Sequence, residues 1–150
     1  MPALITFGRV LFAVLFIYLG ATKLFAIQPT ADFVASKVTI PSELGPYVTQ
    51  VESATGMTMP QLLAIGAGVF ETLAGVMIAL NFGVRFFAII LILYVAGSTF
   101  FFYDFWNQSA PENAKTVVDA LKNVALIGAL LIIAGYGRGP RTAEAAYGDV

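Results

Sequence analysis

The sequence predicts an all-α fold: an integral membrane bundle of four helices that run up, down, up and down across the bilayer. Of its 150 residues, 59% are hydrophobic and 11% are charged, whereas soluble domains carry about 25% charged residues. A soluble domain this small cannot bury so many apolar side chains. The apolar residues also form four continuous runs, unlike the alternating pattern of membrane barrel strands. Lipid is therefore the solvent that suits this chain.

Each apolar run predicts one membrane span. We predict spans at about 5–26, 59–80, 85–103 and 118–135, within a single domain covering residues 1–150. A bilayer core about 30 Å thick needs roughly 20 helical residues, so the fourth span must begin in the polar stretch before its apolar run. The first run contains Arg9, and no convincing cleavage site follows it. We therefore expect a retained helix rather than a signal peptide.

The predicted connections differ in length. A long polar loop is expected between the first two spans, over residues 27–58, with room for a short helix capped by Thr30 and another after Pro41. Residues 81–84 predict a tight turn, which makes the second and third spans an antiparallel hairpin.

Composition also excludes several classes of function. The net charge is −1, which excludes a basic surface for nucleic acid. The chain has no Cys and no His, the residues that hold iron–sulfur clusters, haem and most zinc ions. We therefore predict no metal site and no covalently bound cofactor.

Glu71 is the most informative polar residue, because it lies near the middle of the second span. Gly68 and Gly75 share its helical face, and small residues let helices approach closely in lipid. A carboxylate there is expensive unless it faces the bundle interior. Two interpretations stay open. In the first, Glu71 is structural and is either paired with Arg9 of the first span or protonated. In the second, Glu71 is functional and carries a proton or binds a substrate. For Lys23 the alternatives are a site role and snorkelling to the headgroups.

A second polar cluster lies at the ends of three spans, near the membrane face opposite to the one that carries the termini. Its aromatic members also fit the interfacial belt of membrane proteins, and its lysines also fit snorkelling. If the side chains converge, they form a small pocket for an anionic or quinone-like ligand. The ligand-binding candidates of this cluster are Lys23, Tyr103, Asp104, Trp106, Lys122 and Asn123.

Several segments together resemble the DoxX-like family of membrane proteins. They are Arg9, the Gly20–Lys23 segment, "FVASKVTIP" ending at Pro41, "FETLAGVMIALNFGVRFFA" around Glu71, "YDFW" at 103–106 and "LKNVALIGALLIIAGYGRGP" at 121–140. The resemblance implies a four-helix membrane protein, related to the DoxD subunit of a thiosulfate:quinone oxidoreductase. Members often carry a His near the "FYDFW" segment, and this chain has none. The resemblance retains Arg9, Lys23, Glu71 and Lys122 as site candidates.

Three hypotheses follow, and whether the chain is an enzyme stays open. The first is a cytoplasmic-membrane protein that serves a redox or quinone-linked process, by binding a ligand such as quinone or as partner of a soluble or membrane redox enzyme. The second is a non-enzymatic scaffold or assembly factor, in which the buried charges are structural. The third is a small proton or weak-acid transporter built on Glu71. A homo-oligomer is compatible with each.

We predict that both termini face the cytoplasm, because the span count is even and all the arginines lie close to membrane ends on the terminal side. A reporter that is active only in the cytoplasm, fused after Val150, should be active. Activity of a periplasmic reporter at the same position would contradict this orientation and exchange the compartments of the two polar clusters.

Overall fold

The computed structural model describes residues 2–111 and 113–137, and every regular element in these ranges is helical. Four helices are long and apolar enough to cross a membrane, which confirms the predicted fold class. They are α1 (Pro2–Phe25), α4 (Met59–Ala79), α5 (Val84–Phe102) and α6 (Asn113–Tyr136). The shorter helices α2 (Ile27–Lys37) and α3 (Gly45–Thr55) and two 3₁₀ turns, Ser42–Leu44 and Phe105–Asn107, complete the described fold.

The connection between the first two spans contains short helices at the two places predicted for them, and they are longer than expected, so that most of the connection is helical. α2 begins immediately after α1, so Thr30 lies inside a helix and is not its cap. Its hydroxyl donates instead to the Ala26 carbonyl at 2.8 Å. The last span also begins earlier than the predicted residue 118, at Asn113. Hydropathy marks only the part of a helix that lies in lipid, whereas Ala114 and Lys115, which lie before it, are also good helix formers.

The turn between α4 and α5 is as tight as predicted. Asn81 and Gly83 both adopt positive φ angles, 61° and 58°, a conformation that Gly tolerates and Asn adopts more readily than most residues. The chain therefore reverses within four residues, and α4 and α5 run antiparallel.

The tightest helix contact lies between α1 and α4. A methyl group added at Gly20 would lie 2.6 Å from both the Gly68 carbonyl oxygen and the Thr72 amide nitrogen. One added at Gly75 would lie 3.0 Å from the Ala13 carbonyl oxygen. The two backbones therefore touch, as small residues permit in lipid, where helices associate by van der Waals packing. Contacts in the opposite order along the two helices make the pair antiparallel.

The second close pair is α5 with α6, and α2 packs on α4. The core contains one fully buried large side chain from each long helix: Phe16, Ile78, Leu91 and Leu130. Exposed apolar side chains cover the outside of these helices, including Leu11, Leu63, Leu93 and Ile132. This arrangement suits a bundle with lipid around it.

The α1–α4 contact predicts different outcomes for two glycines of the same helix. Gly20→Ala should lower the free energy of unfolding by about 1–3 kcal/mol, the typical cost of overpacking, because backbone atoms would have to move. Gly8→Ala is the matched control, since no atom lies within 4 Å of the added methyl group, and it should stabilise the helix slightly. Thermal unfolding in detergent measures both; equal melting temperatures would contradict the close contact.

Candidate functional site

A buried ion pair joins α1 to α4. The Lys23 ammonium donates to the Glu71 carboxylate with an Nζ–Oε2 distance of 2.6 Å. The Glu71 side chain is only 5% exposed, whereas that of Lys23 is 26% exposed. Lys23 also donates weakly to the Leu19 carbonyl at 3.4 Å. The carboxylate is thus the deeper partner, and the lysine extends from it toward the edge of the bundle.

The predicted pairing of Glu71 with Arg9 is wrong. Arg9 donates through Nη1 to the side chain of Asn81 at 2.7 Å, at the other end of α4. The reason is the helix register. The glycine contacts place Gly20 beside Gly68 and Thr72, so Arg9 lies about 15 Å along the axis from the level of Glu71 at about 1.5 Å per residue. The sequence indicates which face of each helix carries these residues. It does not give the axial offset between the two helices, which decides which residues meet.

A cavity of about 250 Å³ surrounds the ion pair at the end of the bundle that carries α2. Helices α1, α2, α4, α5 and α6 all contribute to its wall. Most of the lining is apolar, and the polar groups are few. The polar lining residues are Lys23, Thr30, Glu71, Tyr94, Ser98, Tyr103 and Asn123.

Tyr94 is the most important lining residue that the sequence analysis missed. It lies in the middle of α5, where its phenol faces the Glu71 carboxylate and interacts with it electrostatically. Its ring packs on Phe70 with a centroid distance of 5.2 Å. A buried tyrosine hydroxyl normally finds a polar partner. A tyrosine within an apolar span is therefore the sequence signal that could have identified Tyr94 as a site residue.

Asn123 and Tyr103 lie in the cavity, as predicted for a shared pocket with Lys23. The Asn123 side chain donates to the Thr99 hydroxyl at 2.9 Å, which links α6 to α5. Thr99 in turn donates to the Val95 carbonyl at 2.6 Å. This chain of hydrogen bonds holds the wall of the cavity that is opposite to α4.

Lys122 does not share the cavity with Lys23, contrary to prediction. Its ammonium pairs with Asp119 at 2.9 Å, and its side chain is 69% exposed. It lines an open groove beside α1 and α6 that adjoins the cavity, and the two share Leu19, Tyr103, Asn123 and Leu126. Adjacent residues of a helix point about 100° apart, so Asn123 reaches the cavity while Lys122 lies outside its lining.

Asp104 and Trp106 also lie outside the cavity lining. Asp104 accepts from Lys37 of α2 at 3.5 Å and from Gln108 at 3.1 Å. The Trp106 indole packs on Phe100 with a centroid distance of 5.4 Å. Both residues therefore belong to the surface that surrounds the cavity mouth.

Helix α2 closes one side of the cavity. The Phe33 ring stacks on Phe102 at a centroid distance of 5.4 Å and an interplanar angle of 26°, and Ala31 and Val34 are buried. The short helix predicted within the connection between the first two spans is thus a wall of the site.

An apolar groove of about 470 Å³ adjoins the cavity. The two share Val34, Ala67, Tyr94 and Phe102. The groove runs between α2, α4 and α5, and Leu63 on its edge is exposed on the outside of the bundle. The groove therefore lies directly beside the cavity, separated from it by these four residues, and opens on the surface that faces lipid.

The arrangement offers hydrogen-bond donors and exchangeable protons in an apolar setting. Lys has three donors, and each tyrosine hydroxyl both donates and accepts. Within the described ranges there is no group of three or more His, Cys, Asp or Glu residues that could hold a metal ion. These groups can donate hydrogen bonds to a polar group and exchange protons with it.

The unequal burial of the two charges predicts unequal effects of removing them. Lys23→Met should lower the free energy of unfolding on the order of 3–5 kcal/mol, because it leaves a buried carboxylate uncompensated. Glu71→Gln should cost less, since the freed lysine can extend to the membrane face. Lys23→Met with Glu71→Leu should recover much of the loss. Chemical denaturation in mixed micelles measures all three; equal stability of the wild type and Lys23→Met would contradict a structural role for the pair.

Comparison with known proteins agrees with this architecture. The chain is 28% identical over 138 residues to the "Inner membrane protein YphA" of Escherichia coli (strain K12), covering 92% of this chain and 86% of that protein. No solved structure matches the chain. The DoxX family profile matches residues 4–104, from α1 through the end of α5. Together with its four membrane helices, this match shows that the multi-pass inner-membrane protein belongs to the DoxX family.

Proposed function

We propose that the cavity around Lys23 and Glu71 binds the head group of a quinone, and that the chain serves a membrane redox process as a ligand-binding or partner subunit. The observation that supports this proposal is a buried ion pair in a cavity that lies directly beside an apolar groove. Such a space suits a molecule with a polar ring and a long apolar tail.

The dimensions of the cavity fit this class of ligand. Its volume of about 250 Å³ is slightly below the range of about 300–1,000 Å³ for drug-sized ligands, so one substituted ring fills it. Lys23 and the hydroxyl groups of Tyr94 and Tyr103 supply donors for ring carbonyl oxygens. The tail would then follow the adjoining groove past Leu63 into lipid.

The residues of the site would assist proton and charge balance. A bound quinone can take up two electrons and two protons to become a quinol. Lys23 stabilises negative charge on a nearby oxygen, and Glu71 and Tyr94 can pass protons by hydrogen bonds. The chain has no Cys and no His, so the proposal assigns the electron source to a partner redox enzyme.

A second candidate is a non-enzymatic scaffold, in which the ion pair only aligns helices. The observation that favours it is the position of Lys23 and Glu71 beside the closest α1–α4 contact, at Gly20 and Gly68. In that case the cavity would be a consequence of packing and would bind no quinone.

Photolabelling separates these candidates. Wild-type protein in lipid nanodiscs should be labelled by a short-tailed azidoquinone on peptides of α4 or α5, and an excess of the same quinone without the azide should suppress the labelling. The double variant Lys23→Met with Glu71→Leu should lose about ten-fold in labelling, because a hydrogen bond to a charged group contributes about 1.5–3 kcal/mol.

Lys122→Met is the matched control for this experiment. It removes a lysine at the same end of the bundle that pairs with Asp119 and does not line the cavity, so labelling should stay at the wild-type level. Equal labelling of the double variant and the control, with both variants folded, would contradict the quinone site. A wild-type protein without displaceable labelling would favour the scaffold.

A further inference from the structure

Another groove between α1 and α6, the α1–α6 groove, lies at the end of the bundle opposite to the cavity. It has a volume of about 310 Å³ and an almost wholly apolar lining. Phe12 and Ile133 line the part of the groove that is nearest to the core, and Ile132 on its edge is exposed. Because the two helices are not closely packed along it, the groove opens toward lipid. An acyl chain has the shape and polarity to fill it.

One positive charge lies in this apolar groove. Arg9 lines it, and its guanidinium makes a single hydrogen bond, from Nη1 to Asn81. Arg9 Nε is buried and has no acceptor in the described part of the chain. The ion pairs within residues 2–111 and 113–137 involve Lys23, Lys37 and Lys122, and none includes Arg9. The guanidinium therefore has donors available and no counterion there.

Arg9 lies at the level of the membrane surface. Its partner Asn81 belongs to the tight turn between α4 and α5, and a turn between two spans marks the membrane face. Tyr136, at the end of α6, lines the same groove and is exposed, as is typical of interfacial tyrosines. The charge is thus at the depth of lipid headgroups, while the groove extends from it into the bilayer.

Arg85 adds a second positive charge beside this end of the groove. Its side chain packs on Gly137, where an added methyl group would overlap the guanidinium. Gly137 also has a φ of 57°, so glycine is favoured there for two reasons. The described residues provide no hydrogen bond or ion pair to Arg85. Two arginines, neither of which has a carboxylate partner among the described residues, therefore lie at the headgroup end of one apolar groove.

From this geometry we infer that the α1–α6 groove binds an anionic phospholipid, with its phosphate at Arg9 and Arg85 and one acyl chain between the helices. Guanidinium groups match phosphate in shape and charge, and basic pockets between membrane helices favour anionic lipid. A zwitterionic lipid would place an ammonium group near both arginines, which costs affinity. This site is independent of the proposed quinone cavity, since they lie at opposite ends of the bundle.

Two variants test the two parts of the site. Arg9→Gln keeps a donor for Asn81 but removes the charge. Gly8→Leu keeps Arg9 but fills the groove, because Gly8 lines it and no atom lies within 4 Å of an added methyl group. Gly97→Leu is the matched control for added bulk, since its surroundings on α5 are equally open.

The measurement is native mass spectrometry of protein extracted from vesicles of equal parts phosphatidylglycerol and phosphatidylethanolamine. The wild type should retain one phosphatidylglycerol in preference to phosphatidylethanolamine. Arg9→Gln should retain about five-fold less, as expected for one basic residue near the membrane surface. Gly8→Leu should also lose the bound lipid, whereas Gly97→Leu should retain it.

Equal retention of the two lipids by the wild type would overturn the inference, as would unchanged retention in both groove variants. A change from oligomer to monomer in Gly8→Leu, without a change in bound lipid, would assign the groove to a second copy of the chain instead. Because none of these readouts involves quinone, the inference and the proposed function can fail separately.

Discussion

The direct contact between the backbones of α1 and α4 sets the geometry on which the rest of the structure depends. Gly20 and Gly68 lie against each other, and Gly75 lies against Ala13. In lipid the hydrophobic effect does not drive helices together, so close packing of small residues is a main source of association. The contact also sets the height of every polar side chain on α1 relative to those on α4. A shift of one helical turn, about 5.4 Å, would move these side chains past their partners.

This register explains why the polar groups of α1 have the partners observed. Lys23 meets Glu71 near one end of the pair, and Arg9 meets Asn81 near the other. Each interaction satisfies a polar group that would be costly in the apolar part of the membrane. The two ends still differ, because Lys23 has a carboxylate as its partner and Arg9 has a neutral amide. One end therefore contains a neutralised polar cavity, and the other keeps a positive charge at the membrane surface.

The cavity around Lys23 and Glu71 depends on parts of the chain outside the four spans. Helix α2 folds back on α4, and Phe33 stacks on Phe102 to close one side. The link between Asn123 and Thr99 holds the opposite side. The ion pair thus lies in a cavity lined by five helices, and an apolar groove that opens on lipid lies directly beside this cavity. This combination distinguishes it from an ion pair that only joins two helices.

The sequence by itself determined the all-helical membrane fold, the four spans and the tight turn at residues 81–84, because these features follow from local hydropathy and local backbone preference. It also identified Glu71 as a polar group facing the interior, since the small residues on its face are visible in the helical repeat. Asn123, Tyr103 and Lys23 were identified as site candidates, and all three line the cavity.

Only the tertiary structure decided which residues meet. The partner of Glu71 depends on the axial offset between two helices, and the glycine spacing allows more than one offset. Whether Lys122 or Asn123 faces the cavity depends on the rotation of α6 about its axis, which a helix with apolar residues on most sides does not specify. Tyr94 entered the site, and α2 became its wall, through packing between distant segments. Hydropathy shows which segments lie in lipid, whereas the site depends on the axial offset and the rotation of the helices relative to one another.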